Sequence, residues 1–146
     1  MSEGTDRIYG DLPPFHRRIT SIEKFGTVLT CMDGRPQRKV ADYLTTSFGV
    51  RHLDLITTAG AVRHLAEETD ETHRLLHNLA LSTSNHGSRQ IAVVAHHDCA
   101  GNRVADNRQK LQVSEAVARI RNIYPDAEVT GLWLGEQWIV ERVVPT

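Results

Sequence analysis

Apolar positions along this chain fall into short blocks that alternate between a strand-like and a helix-like period. Gly26-Thr27-Val28-Leu29-Thr30-Cys31-Met32 is a brief, largely apolar run and predicts a buried strand. It stops at Asp33-Gly34-Arg35. Pro36 then suits the first turn of a helix, where its missing N–H costs nothing. Val40, Leu44 and Phe48 follow at a spacing of four, and Gly49 supplies a C-cap. Val50–Thr58 predicts a second strand, with Leu53, Leu55 and Ile56 as its apolar content, broken at Ala59-Gly60-Ala61. The next helix is expected over Asp70–Asn85, with Thr69 or Asp70 as its cap, Glu71 at the positive end of its dipole, and Leu75, Leu76, Leu79 and Ala80 as its buried stripe. Gly87 ends it. Gln90–Ala95 predicts a third strand that runs directly into His96-His97-Asp98-Cys99. Val113, Ala116, Val117 and Ile120 mark a third helix, closed by Pro125. The tail, from Val129 through Leu132, Trp133 and Leu134 to Trp138–Val144, reads as two strands joined by a two-residue turn at Gly135-Glu136.

Strands alternating with helices imply an α/β fold: a central, mostly parallel β-sheet flanked by helices, with a C-terminal β-hairpin. Residues 1–24, broken by Pro13-Pro14, read as an N-terminal arm, extended or partly disordered, and residues 25–146 as a single domain. In such sheets ligands bind beyond the carboxyl ends of the strands. Both cysteines, Cys31 and Cys99, fall at or just after a strand's carboxyl end.

Composition narrows the classes. At 146 residues the chain has the size of one domain, and 40% hydrophobic with 24% charged residues is ordinary for a globular protein. Seventeen Lys and Arg against eighteen Asp and Glu leave no basic excess, which argues against a dedicated nucleic-acid binder. No apolar run is long enough to span a membrane. Met1–Gly10 is polar, so no secretory signal is expected. Two cysteines do not make a disulfide scaffold, and a cytoplasmic location with reduced thiols is expected. The unusual feature is eight histidines.

One of these histidines stands in a chemically meaningful place. If the first and third strands are neighbours, about 4.8 Å apart, their carboxyl ends bring Cys31 to the His96-x-x-Cys99 turn. Two thiolates and an imidazole are a preferred donor set for Zn2+, and three protein ligands leave a fourth position for water. Zinc lowers the pKa of that water to about 7. Taken singly, a strand-end cysteine is ordinarily a small buried hydrophobe, and a lone His-x-x-Cys is a weak signal. The three together at matching strand ends are much more specific.

Cys31-Met32-Asp33-Gly34-Arg35 resembles the Cys-x-Asp-x-Arg motif of the β-class carbonic anhydrases, and His96-His97-Asp98-Cys99-Ala100-Gly101 resembles their His-x-x-Cys-Gly motif. Ala59-Gly60 falls where the family has Arg-Asn-Ala-Gly, with Thr57-Thr58 in place of the Arg-Asn. Asn78–Ser82 and Gly87–Ile91 resemble the helix and strand that lead to the second motif. The resemblance covers about residues 25–101 well and the hairpin loosely. It implies Cys31, His96 and Cys99 as zinc ligands and an Asp33–Arg35 dyad, in which Asp33 accepts a hydrogen bond from zinc-bound water or swings onto the metal, and Arg35 holds it away. It also implies reversible hydration of CO2 to bicarbonate by a zinc-bound hydroxide, in a homodimer or higher homo-oligomer. Some relatives hydrolyse carbonyl sulfide or carbon disulfide by the same attack. The remaining alternatives are a non-catalytic, zinc-stabilised binding protein closed by Asp33 as fourth ligand, and a Cys31/Cys99 redox pair that leaves His96 without a purpose.

Other residues carry plainer readings beside functional ones. His97 neighbours a ligand and has an unperturbed pKa suited to proton relay, or points into a helix layer or interface. His64 lines the pocket or lies on the surface. His73 and His77, at i and i+4, read as a solvated pair, and Arg17-Arg18 is too short a basic cluster to bind phosphate. Trp133 and Trp138 are expected to pack the hairpin against a partner sheet or the core.

Overall fold

A computed structural model describes residues 23–145; the expected N-terminal arm lies almost entirely outside the described residues. Five strands form one sheet: β1 (Phe25–Thr30), β2 (His52–Thr57), β3 (Gln90–His96), β4 (Glu128–Leu134) and β5 (Val140–Val144), in the order β2-β1-β3-β4-β5. The first four are parallel to their neighbours, and β5 closes the sheet antiparallel to β4. Four helices connect them: α1 (Gln37–Phe48), α2 (Ala61–Ala66), α3 (Thr72–Asn85) and α4 (Asp106–Ile123).

The strand period of two sorts the core into two layers. On β3, Ile91, Val93 and Ala95 face α2, α3 and α4, packing with Leu65, Leu75, Leu79, Val113 and Val117. The intervening Ala92 and Val94 face the α1 side, against Val40, Leu44 and Phe48. A strand buried on both faces has no polar face to show, which is why Gln90–Ala95 reads as a continuous apolar run. Truncating a fully buried side chain such as Leu44 or Leu79 to Ala would cost about 2–5 kcal/mol. Gly131 on β4 lets α4 approach closely, since a Cβ there would stand 2.5 Å from Val113 Cγ1.

Local signals also behave as their chemistry requires. Gly49 takes a left-handed conformation (φ 62°) at the end of α1, and Gly87 (φ 66°) follows α3. Three expectations are corrected. The stretch after Gly60 is not a simple break but the short helix α2, whose Ala61, Val62 and Leu65 are buried. Helix α3 begins at Thr72; Thr69 Oγ1 accepts the Glu71 N–H (3.3 Å), and Thr72 Oγ1 accepts the Thr69 N–H (2.8 Å). The hairpin turn is not two residues: 135–139 form a longer connection in which Trp138 adopts φ 56° and its N–H bonds back to the Gly135 carbonyl at 2.9 Å.

Candidate metal centre

The parallel register of β1 with β3, Thr27 opposite Ile91 and Leu29 opposite Val93, carries the two strands to a common edge. There Cys31, immediately after β1, meets His96, the last residue of β3, and Cys99 in the turn that follows. Their donor atoms all lie within 4.8 Å of one another, and all three residues are buried. Cys31 Sγ and Cys99 Sγ are 3.8 Å apart and unbonded. Two thiolates about 2.3 Å from a tetrahedral ion keep nearly that separation.

The imidazole is prepared for a ligand. His96 Nδ1 faces the His97 carbonyl at 2.8 Å, so Nδ1 carries the proton and Nε2 presents its lone pair. His96 is 1% exposed, yet Nε2 has no hydrogen-bond partner. A buried polar atom without a partner is costly unless something else satisfies it. A zinc ion is what a set of two sulfurs and one imidazole nitrogen suits, so these residues fit the group that the sequence implies.

The sulfurs are also supported. The Gly60 and Asp33 N–H groups point at Cys31 Sγ at 3.4 and 3.5 Å. Cys99 donating to Cys31 pushes the Cys31 thiol well down against the effect of burial, aided by His96 and those two N–H groups. Holding that shared proton beside a charged sulfur, and being buried, pushes the Cys99 thiol up. Burial opposes charge on His96, but the Cys31 sulfur, the His97 carbonyl and Asp33 together outweigh it and raise its pKa. A divalent cation replaces the shared proton in such a pair, and binding releases it.

Beside the donors sits the expected dyad. Arg35 Nε donates to both Asp33 oxygens at 3.1 Å, and an Arg35 terminal nitrogen donates to Asp33 Oδ2 at 2.7 Å. These bonds hold the Asp33 carboxyl at about 2, well below the usual range. Asp33 Oδ2 lies 3.9 Å from His96 Nε2. Gln37 Nε2 donates to the Cys31 and Asp33 carbonyls, both at 2.7 Å, and fixes the turn between them. From below, Gln109 of α4 donates to the His96 carbonyl at 3.0 Å.

Several contacts escaped the sequence reading. Arg35 reaches across to the second motif, donating to Asp98 Oδ2 (3.2 Å) and to the Asp98 carbonyl (3.0 Å). Trp138 packs against the α1-side core as expected, and it also places its ring over Arg35, 4.7 Å from Cζ, with its centroid 5.7 Å from that of His96. An aspartate inside His-x-x-Cys was the available signal for the first; the second depended on the unforeseen length of the 135–139 connection. The cleft beside Cys99 is lined by Arg35, Asp98, Asn102 and Arg103, a largely polar set. His97 is held by Asp106 (3.0 Å), and His64 Nδ1 lies 2.6 Å from Thr69 Oγ1. His73 is exposed and pairs with Glu68. Among the described residues no other group of three or more His, Cys, Asp or Glu side chains could hold a metal. No helix there is long and apolar enough to cross a membrane.

Comparison with known proteins identifies the fold and the family. The chain has a fold like that of β-carbonic anhydrase isoform I from Trichomonas vaginalis, with TM-score 0.54 and 14% identity over 97% of this chain and 92% of that one. It is similar also to a chain from the crystal structures of two tetrameric β-carbonic anhydrases of Sordaria macrospora, with TM-score 0.57 and 12% identity over 84% of this chain and 82% of that one. No curated protein matches it in sequence. Residues 21–144 match the family described as "Putative carbonic anhydrase". With nearly its whole length inside that match and a β-carbonic-anhydrase-like fold around the paired motifs, this chain belongs to that carbonic anhydrase family.

Proposed function

We propose that this protein is a zinc-dependent lyase that reversibly hydrates CO2 to bicarbonate, with Cys31, His96 and Cys99 as metal ligands in a single domain spanning residues 25–146. The observation that carries this reading is the unpartnered, buried His96 Nε2 turned into a pair of sulfurs 3.8 Å apart. Bound there, zinc supplies a polarised water that ionises near neutral pH. Asp33 stands 3.9 Å from His96 Nε2 with ionised oxygens and orients a donor in that space. Arg35 fixes the carboxylate by a forked contact, which sets its direction as well as its charge. The Gly60 and Asp33 N–H groups steady Cys31, and Gln109 and the His97 carbonyl steady His96.

Engagement of Asp33 by Arg35 favours catalysis over a closed, purely structural site, in which Asp33 would serve as a ligand itself. A cytoplasmic setting keeps both thiols reduced. The solved Sordaria macrospora relatives are tetrameric, which supports a homo-oligomer here, and among the described residues the sheet ends in two edge strands, β2 and β5, of the kind a second copy can cover.

The test is metal analysis followed by stopped-flow CO2 hydration. Purified protein is expected to carry about one zinc per chain and to hydrate CO2, with Cys99→Ser losing metal and activity together. Zinc-free wild-type protein, or zinc-loaded protein that does not hydrate CO2 at any pH, overturns the reading.

A further inference from the structure

Among the described residues, only Asp98 (φ 58°) and Trp138 (φ 56°) are non-glycines with left-handed backbone. That conformation disfavours side chains with a Cβ, and such strain gathers where a site demands it. Both residues touch the same group, the Arg35 guanidinium. Three in-plane acceptors, the Asp33 carboxylate, the Asp98 carboxylate and the Asp98 carbonyl, fix the rotation of that fork. They do little against a swing out of the plane, because hydrogen bonds to a planar donor direct only within it. A guanidinium is weakly hydrated and stacks on aromatic rings, and Arg35 Cζ lies over the Trp138 ring, 4.7 Å from its centroid. The unexpected length of 135–139 brings it there.

We propose that Trp138 is a positioning residue for the Asp33–Arg35 pair: its indole face, with Asp98 opposite Asp33, clamps the guanidinium so that the Asp33 carboxylate is held off the metal ligands. The clamp stands on geometry alone, and its consequence for turnover rests on the hydration reading above. It also joins three separate segments, the turn after β1, the turn after β3 and the hairpin connection, through one side chain.

The experiment follows the Arg35 Nε–H resonance in 15N-labelled protein, identified by its loss in Arg35→Lys, and measures its exchange with solvent. Trp138→Phe keeps an aromatic face, whereas Trp138→Leu keeps apolar bulk without one. Phe is expected to hold the exchange rate near wild type, and Leu to raise it about two- to fivefold. In zinc-loaded protein, kcat should fall by a similar factor for Leu with KM unchanged. A Leu variant that exchanges at the wild-type rate, a Phe variant that loosens as much as Leu, or loosened exchange with undiminished kcat overturns the proposal. Exchange needs neither zinc nor substrate. A wild-type protein without hydration activity that still shows the exchange pattern therefore refutes the proposed function while leaving the clamp in place.

Discussion

Two histidine–aspartate pairs sit at opposite ends of this sheet, and they are built differently. Toward the amino end, His86 Nδ1 meets Asp54 Oδ2 at 2.6 Å. Ser82 Oγ donates to the same oxygen at 2.7 Å and lies 2.6 Å from Thr27 Oγ1, which donates to Ser88 Oγ at 2.7 Å. Phe25 stacks on His86 with centroids 4.1 Å apart. The hydroxyls of Thr27, Ser82 and Ser88 thus all have partners. At the carboxyl end, His96 and Asp33 are 3.9 Å apart, Asp33 is turned to Arg35, and Nε2 of a more deeply buried imidazole is left without one. The first cluster spends its polar groups on one another and fastens α3 to β1 and β2. The second withholds one atom from the protein. Proximity of a histidine and a carboxylate is therefore not the mark of a site here; unsatisfied, preorganised donor atoms are.

The largest expected break in that contrast is Asp33→Ala, which should lower CO2 hydration about 10- to 100-fold while zinc content stays at the wild-type level; stopped-flow assays beside metal analysis measure it. Next is Gly60→Ala. A Cβ there would run into the Gly101 carbonyl, in a left-handed conformation (φ 63°), and overpacking of this kind costs about 1–3 kcal/mol. Urea unfolding should report that loss, and zinc should leave the variant faster in a chelator assay because Gly60 N–H also supports Cys31. Ser82→Ala probes the other end. It should cost about 1 kcal/mol in urea unfolding and leave zinc content and hydration unchanged, and any loss of metal would erase the distinction between the two clusters. The smallest effect concerns pH. Because Asp33 titrates at about 2 in the fold, below its ordinary value, its contribution to stability is complete above about pH 4 and fades as the pH falls toward 2. A carboxyl NMR titration should find its midpoint near 2, and Arg35→Lys, which cannot fork in the same way, should move it upward.

What the sequence disclosed follows the same division. Strands β1 and β3 were legible because both faces are covered, so apolar residues run on without interruption. The meeting of Cys31, His96 and Cys99 was legible because a parallel sheet delivers successive strand ends to one edge, whatever their separation in sequence. Helix α2 was hidden by its length: six residues give one and a half turns, too few for a period to show, and Ala61, Val62 and Leu65 are buried by tertiary contacts. The partners of Arg35 were hidden for a different reason. Asp98 and Trp138 earn their positions through backbone conformations that composition disfavours at those residues, and a turn rule applied to Gly135-Glu136 selects the commonest hairpin over the one that carries an indole to a charged neighbour.

The meeting of Gly60 with Gly101 has an evolutionary consequence. A Cβ on Gly101 would stand 2.6 Å from the Ala59 carbonyl carbon and the Gly60 nitrogen, so the loop after β2 and the turn after β3 touch main chain to main chain. Main-chain atoms are common to every residue type, and no amino-acid substitution can trim them. Substitution at this seam can only wedge the loops apart. Descendants of this protein that acquire new substrates would have to do so through replaceable side chains, such as the exposed Met32 beside Cys31, and leave this seam as it is.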